Sequence, residues 1–237
     1  MPRPSQQLDQ ALLRSGRALY PQLGCAGLSQ RRVAEHAGVA PGMFHYHFES
    51  KNAFLRAVLQ QLYEELFAGL SAQAELQGPV LARLRGTLLA LAQFVRAQRP
   101  LLVRLATDAA AGEAVATEFV RDNMPRHLGL LLGLVAEAQR EGRFAAGPPL
   151  GTVAFLMGAV MAPLMVAPTL AALAPAMAGL AGVATGASPD PAPDRTAGAA
   201  PEAPVDAADR VAAAVGSDAA IATRIDLALA ALQGAAR

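Results

Sequence analysis

Within Leu28-Ser29-Gln30-Arg31-Arg32-Val33-Ala34-Glu35-His36-Ala37-Gly38-Val39-Ala40-Pro41-Gly42-Met43-Phe44-His45-Tyr46-His47-Phe48-Glu49-Ser50-Lys51, a helix starts at Ser29, stops at Gly38 and is followed by a second, aromatic-rich one. The Ser29 hydroxyl can accept from the free backbone amides of the first turn, and Val33 and Ala37 fall on the side that such a helix buries. Gly38 supplies the turn. The second helix spans about Ala40 to Tyr46, and Ser50 caps the helix that Lys51 opens. A helix, a tight turn and a second helix make a helix-turn-helix layout, which presents the second helix to a DNA groove.

Outward from this stretch the helical spacing continues. Leu8, Leu12, Leu19 and Leu23, with Ala11 and Ala18 beside them, predict a first helix from about Ser5 to Leu23, ended by Gly24. Phe54, Leu55, Val58, Leu59, Leu62, Leu66, Phe67 and Leu70 recur at three- and four-residue intervals, a stripe ample to bind the small unit to a second domain. Gly78-Pro79 marks its end, and Pro79 suits the first turn of a fifth helix running to about Gln98. Arg99-Pro100 predicts a break before a short helix over Leu101 to Thr107. A seventh helix is expected from about Gly112 to Glu141, kinked or divided at Pro125. An apolar eighth begins near Leu150 and bends at Pro163. From about 179 to 204 alanine, glycine and proline dominate, a composition that buries too little to offset ordering entropy and predicts a flexible insertion. Asp206 to Val215 is read as a shorter helix, and Ile221, Ile225, Leu229 and Leu232 predict a last one from about Asp218 to Gln233. The expected fold is all-α: an N-terminal three-helix helix-turn-helix domain over residues 1–58, followed by a larger helical domain over 59–237 that binds a ligand and dimerises.

Composition agrees with that division. A chain of 237 residues exceeds one small domain and suits a small one joined to a larger. Hydrophobic residues make up 53% and aromatic ones only 5%, so the apolar content is mostly alanine, leucine and valine, which suits helices. Six cations stand against three anions up to Lys51, a net +3 that leaves −2 for the rest of a chain totalling +1. A basic module on a slightly acidic body confines DNA contact to one end. The lone Cys25 forms no internal disulfide, and Met1 to Gln7 lacks the apolar core of a signal peptide, so a cytoplasmic location is expected. Phe144 to Pro189 carries no charge and is long enough to raise a membrane span. Pro163, Pro168 and Pro175 interrupt it and no cationic cluster flanks it, so the expectation is a buried, dimer-forming helix and no membrane partner.

Ser29 to Lys51 resembles the N-terminal helix-turn-helix of the TetR/AcrR family of transcriptional regulators, through Val33-Ala34-Glu35, Ala37-Gly38-Val39, Gly42, Tyr46-His47-Phe48 and Ser50-Lys51. Ala40 and Pro41 stand where the family often opens its recognition helix with serine and lysine, and Met43 and His45 where it often has threonine and tyrosine. Pro41 suits a first turn because its missing amide would be unpaired there. On this reading Ser29 and Arg31 anchor the first helix of the motif to the DNA backbone, and Pro41 opens the recognition helix. Gly42 lets its backbone approach DNA, His45 reaches a base edge or thymine methyl, and Tyr46 offers a hydroxyl to phosphate. Lys51 adds a full charge to the exposed amides of a helix start. Val33, Phe44 and Phe48 hold the three helices together. His45 and His47 form a His-x-His pair without a third ligand, so neither metal nor cofactor is expected, and His47 is read as a packing and hydrogen-bonding residue.

The resemblance further implies a C-terminal domain that dimerises and encloses a small molecule. Phe94, Phe119, Phe155, Met157 and Met161 are its expected walls, with Leu105, and Arg104 and His127 its expected polar groups, with Asp108 and Arg121. Methionine adapts to varied apolar shapes and aromatics are scarce, so a hydrophobic or amphipathic effector is expected in preference to one held in a planar-ring cage. The eighth and last helices would pair with their two-fold mates, setting two recognition helices about one DNA turn, ~34 Å, apart on a palindromic double-stranded operator. That describes a repressor released by its effector. The alternative is an apolar-ligand carrier or sensor with incidental DNA affinity. An enzyme is not expected, because no nucleophile with a nearby base, metal spacing or phosphate loop appears.

Overall fold

The computed structural model describes residues 4–184 and 215–234, among which every regular element is helical. In chain order these are α1 (Pro4–Gly27), α2 (Gln30–Ala37), α3 (Pro41–His47), α4 (Lys51–Ala74), α5 (Val80–Ala110), α6 (Ala114–Arg140), α7 (Pro149–Ala184) and α8 (Asp218–Gly234).

Local chemistry sets the ends of the first four. Gly24 leaves helical conformation at φ +63°, and one further turn follows to Gly27. A side chain at Gly24 would also collide with the Arg104 guanidinium, so backbone conformation and close approach both demand glycine there. Ser29 Oγ accepts from the Arg32 amide at 3.3 Å, and Gly38, at φ +69°, turns the chain out of α2. Pro41 fills the first turn of α3, which has no side-chain cap. Ser50 Oγ accepts from the Ala53 amide at 3.1 Å and starts α4.

Neither Pro100 nor Pro125 divides its helix. Arg99-Pro100 does not divide α5, which runs unbroken to Ala110, and α6 passes through Pro125 as one helix. A proline inside a helix costs roughly 3 kcal/mol. Leu88, Leu91 and Ala92 are buried before Pro100, and Leu101 and Leu105 after it. At about 1.5–3 kcal/mol for each large buried side chain, the packing on both sides outweighs the lost hydrogen bond. Likewise α7 continues to Ala184, so 179–184 are helical where a flexible insertion was expected. The remainder of that insertion, and the short helix expected at 206–215 save its last residue, lie outside the described residues.

Packing does not stop at residue 58. One buried cluster joins Leu12, Tyr20, Leu28, Val33, Phe44, Phe54, Leu55 and Leu59 to Leu101 and Leu105 of α5 and Val115 and Ala116 of α6. A second fills the body between α4, α5, α6, α7 and α8, from Leu70 and Leu84 to Val153, Leu156, Ile221 and Ile225. Thus α4 and α5 each contribute to both. The 149–166 window of α7 is long and apolar enough to cross a membrane by length and composition. Within it Val153, Leu156, Val160 and Leu164 pack into the body, while Leu150, Phe155 and Val166 stay exposed.

Candidate nucleic-acid interface and effector cavity

The short α3 is held from beneath by aromatic packing. Phe44 is fully buried, with ring centroids 5.6 Å from Phe48 and 5.0 Å from Phe54, and Phe48 lies 4.9 Å from Phe54. With Phe44 turned inward, the helical period turns Gly42, His45 and Tyr46 outward; these three and Pro41, at the helix start, are exposed. Tyr46 is 78% exposed. No other group lies near the missing side chain of Gly42. This outer face carries a flat backbone patch, an imidazole and a phenol.

Cations flank the face, and most are tethered. Arg31 Nε lies 2.7 Å from Glu35 on the exposed side of α2. Arg32 reaches the Gly27 carbonyl at 3.4 Å. Lys51 Nζ donates to the Ala26 carbonyl at 3.0 Å, tying the start of α4 to the end of α1. That tie gives Lys51 a positioning role that the sequence did not disclose. Ser29 spends its oxygen on the α2 cap. The two histidines of the His-x-His pair part company: His45 is exposed, whereas the His47 side chain is buried with its Nδ1 against Asp9 of α1. No cluster of three metal-ligating side chains occurs among the described residues.

A cavity of about 200 Å³ lies between α4, α5, α6 and α7. Of the residues expected to line it, Phe94, Leu105, Phe119, His127 and Met157 do so, joined by Tyr63, Asn123, Met124 and several further leucines and valines. Arg104, Phe155 and Met161 do not reach it. Arg104 pairs with Asp108 at 2.9 Å, Phe155 is exposed on α7, and Met161 is buried in the body. Arg121 pairs with Asp122 on the surface at 2.7 Å. At the polar end of the cavity Tyr63 Oη donates to the Asn123 carbonyl at 2.8 Å, and His127 Nδ1 lies 3.4 Å from the same hydroxyl. Burial lowers the basicity of His127, against a smaller opposing effect of the Asn123 carbonyl.

Between cavity and reading head sits Asp108, which sequence reasoning placed among the ligand-orienting groups. It is 3% exposed and serves instead as a tie. Its Oδ2 accepts from the Cys25 amide at 2.7 Å and from the Tyr20 hydroxyl at 2.9 Å, while Oδ1 faces Arg104. The end of α1 is therefore clamped to α5 one turn beyond Leu105, a cavity wall.

The sequence profile described as bacterial regulatory proteins, tetR family, matches residues 12–58, from within α1 to the first part of α4. No curated protein matches the chain in sequence. A solved protein from Mesorhizobium loti, described as a TetR-family transcriptional regulator, is similar at TM-score 0.58 and 13% identity, over 97% of this chain and 98% of its own. A Clostridium perfringens protein described as a fatty acid metabolism regulator is similar at TM-score 0.59 and 13% identity, over 88% and 97%. The TetR family regulator PfmR from Thermus thermophilus gives TM-score 0.52 and 19% identity, over 62% and 80%. At such identities these likenesses concern the fold. The profile match falls on the reading head itself, so residues 12–58 form a helix-turn-helix of the TetR type, and the larger all-helical body shares the fold of the solved proteins described as TetR-family regulators.

Proposed function

We propose that the chain is a cytoplasmic, homodimeric repressor that leaves a palindromic operator when a small hydrophobic or amphipathic effector fills the cavity between α4, α5, α6 and α7. One observation carries this reading: Leu105 and Phe119 wall the cavity and also pack in the cluster that holds Phe44 and Phe54 under α3. A ligand that fits only one spacing of α5 and α6 thereby selects one setting of the reading head. Dimerisation is supported by the uncharged outer side of α7, with Leu150, Phe155 and Val166 exposed, and by Leu227 at 65% exposure on α8. A carrier would need neither the coupling nor the exposed imidazole.

On this proposal Pro41, Gly42, His45 and Tyr46 meet the groove, while Ser29, Arg31 and Lys51 flank the phosphates. To test it, duplexes are selected from a randomised library with the full chain, and the recovered site is titrated with variants. Lys51→Ala should weaken every duplex alike and reduce the salt slope by about one. His45→Ala should alter preference at one position, by roughly 5- to 100-fold. Parallel losses across all duplexes for both variants would contradict the base contact of His45, and recovery of no common sequence would contradict the repressor.

A further inference from the structure

We infer that the effector is an uncharged molecule the size of one substituted ring, bearing a single hydroxyl that donates to His127. This rests on the reading of the cavity as the effector site. Size comes first. A sealed apolar cavity of about 150 Å³ is known to hold benzene, and this one, at about 200 Å³, has room for a ring with two or three further heavy atoms. Shape comes next. Although only 5% of the chain is aromatic, Tyr63, Phe94, Phe119 and His127 converge on this one space. The scarcity of rings in the sequence thus misleads about the cavity, where planar walls favour a planar ligand.

Charge decides the class. No arginine or lysine is among the lining residues. Arg126 lies over the outer rings of Phe67 and Tyr63, at 4.2 and 5.1 Å, with its charge already matched by Glu64 at 2.7 Å. Arg104 is committed to Asp108. The imidazole of His127 is kept neutral by its burial. A carboxylate entering here would lose its hydration without gaining a cation. An uncharged donor meets no such penalty. Tyr63 Oη already gives its proton to the Asn123 carbonyl, and Asn123 Nδ2 donates to the Phe119 carbonyl at 3.0 Å and to Gln60 at 3.3 Å. His127 Nδ1 faces the Tyr63 oxygen, whose own proton is spent, so the imidazole proton sits on Nδ1 and Nε2 is left as an acceptor without a partner among the described residues.

The test is calorimetric titration of the full chain with four probes: 1-phenylethanol, ethylbenzene, benzoate and palmitate. 1-Phenylethanol should bind saturably, at least 10-fold tighter than benzoate or palmitate. His127→Ala should weaken 1-phenylethanol about 10-fold and leave ethylbenzene, which has the shape without the hydroxyl, unchanged; His127→Gln, whose amide oxygen also accepts, should restore part of the loss. Equal changes for 1-phenylethanol and ethylbenzene, tighter binding of either anion, or no saturable binding of 1-phenylethanol would overturn the inference. Repeating the titration with the chain on its selected duplex separates the two readings. 1-Phenylethanol that binds without releasing DNA overturns the effector role and leaves the ligand class standing, whereas benzoate that releases DNA overturns the class and leaves the effector role standing.

Discussion

Replacing Asp108 by alanine lowers the free energy of unfolding by about 3 kcal/mol, read as a shift in the denaturant midpoint at unchanged slope. The size follows from what loses its partner. The Tyr20 hydroxyl, the Cys25 amide and the Arg104 guanidinium all converge on this carboxylate inside the protein. Each unpaired buried donor costs about 1–3 kcal/mol. Arg104 Nε lies 2.9 Å away as an ion pair without good hydrogen-bond alignment, and its side chain is 31% exposed, so water recovers part of its share. Burial by itself would raise the Asp108 carboxyl, but the Cys25 amide, the Tyr20 hydroxyl and Arg104 hold it below the usual carboxylate range. A lowered folded-state pKa means that the stabilisation is present above the unfolded carboxylate value of about 3.9 and fades as pH falls below it. The gap between wild type and Asp108→Ala should therefore be constant near neutrality and shrink only in acid. A loss under about 0.5 kcal/mol at pH 7 would show that Asp108 is not the clamp between α1 and α5.

Phe44→Ala removes an entire buried ring from beneath the reading head, and a loss of about 3–5 kcal/mol is expected. The seven residues of α3 are too few to hold a helix alone, so their order depends on the packing of Phe44 against Phe48 and Phe54. DNA binding should fall with stability. Met43→Ala, one position along and 38% exposed, serves as the control and should move the midpoint little. Urea unfolding followed by far-ultraviolet circular dichroism, paired with duplex binding for both variants, measures this. An unchanged midpoint for Phe44→Ala would remove the aromatic cluster as the support of α3.

What the sequence disclosed divides by the range of the interactions. Ser29, Gly38 and Ser50 act on their own backbone within a few residues, so the layout of α2, α3 and the start of α4 was legible. Pro100 is equally local, yet the helix passes through it, because Leu91 and Ala92 before it and Leu101 and Leu105 after it are buried by partners distant in sequence. Helical periodicity tells which side of α5, α6 or α7 is buried. It does not tell which buried positions leave a void. Phe94, Phe119, His127 and Met157 therefore wall the cavity while Met161 fills the body and Phe155 faces outward. Tyr63 hides in the apolar stripe of α4, and only its packing against α6 discloses the polar end. Lys51 and Asp108 are long-range ties of the same kind, with partners that no spacing announces.

Duplex binding by the full chain over a salt series, comparing the selected palindrome with a scrambled duplex of the same composition, bears most directly on switched DNA reading by α3. The selected duplex should bind at least ~10³-fold tighter at physiological salt, with both affinities falling steeply as salt rises and the neutral ring-sized probe reducing the first. Equal affinity for the two duplexes at every salt concentration would contradict it.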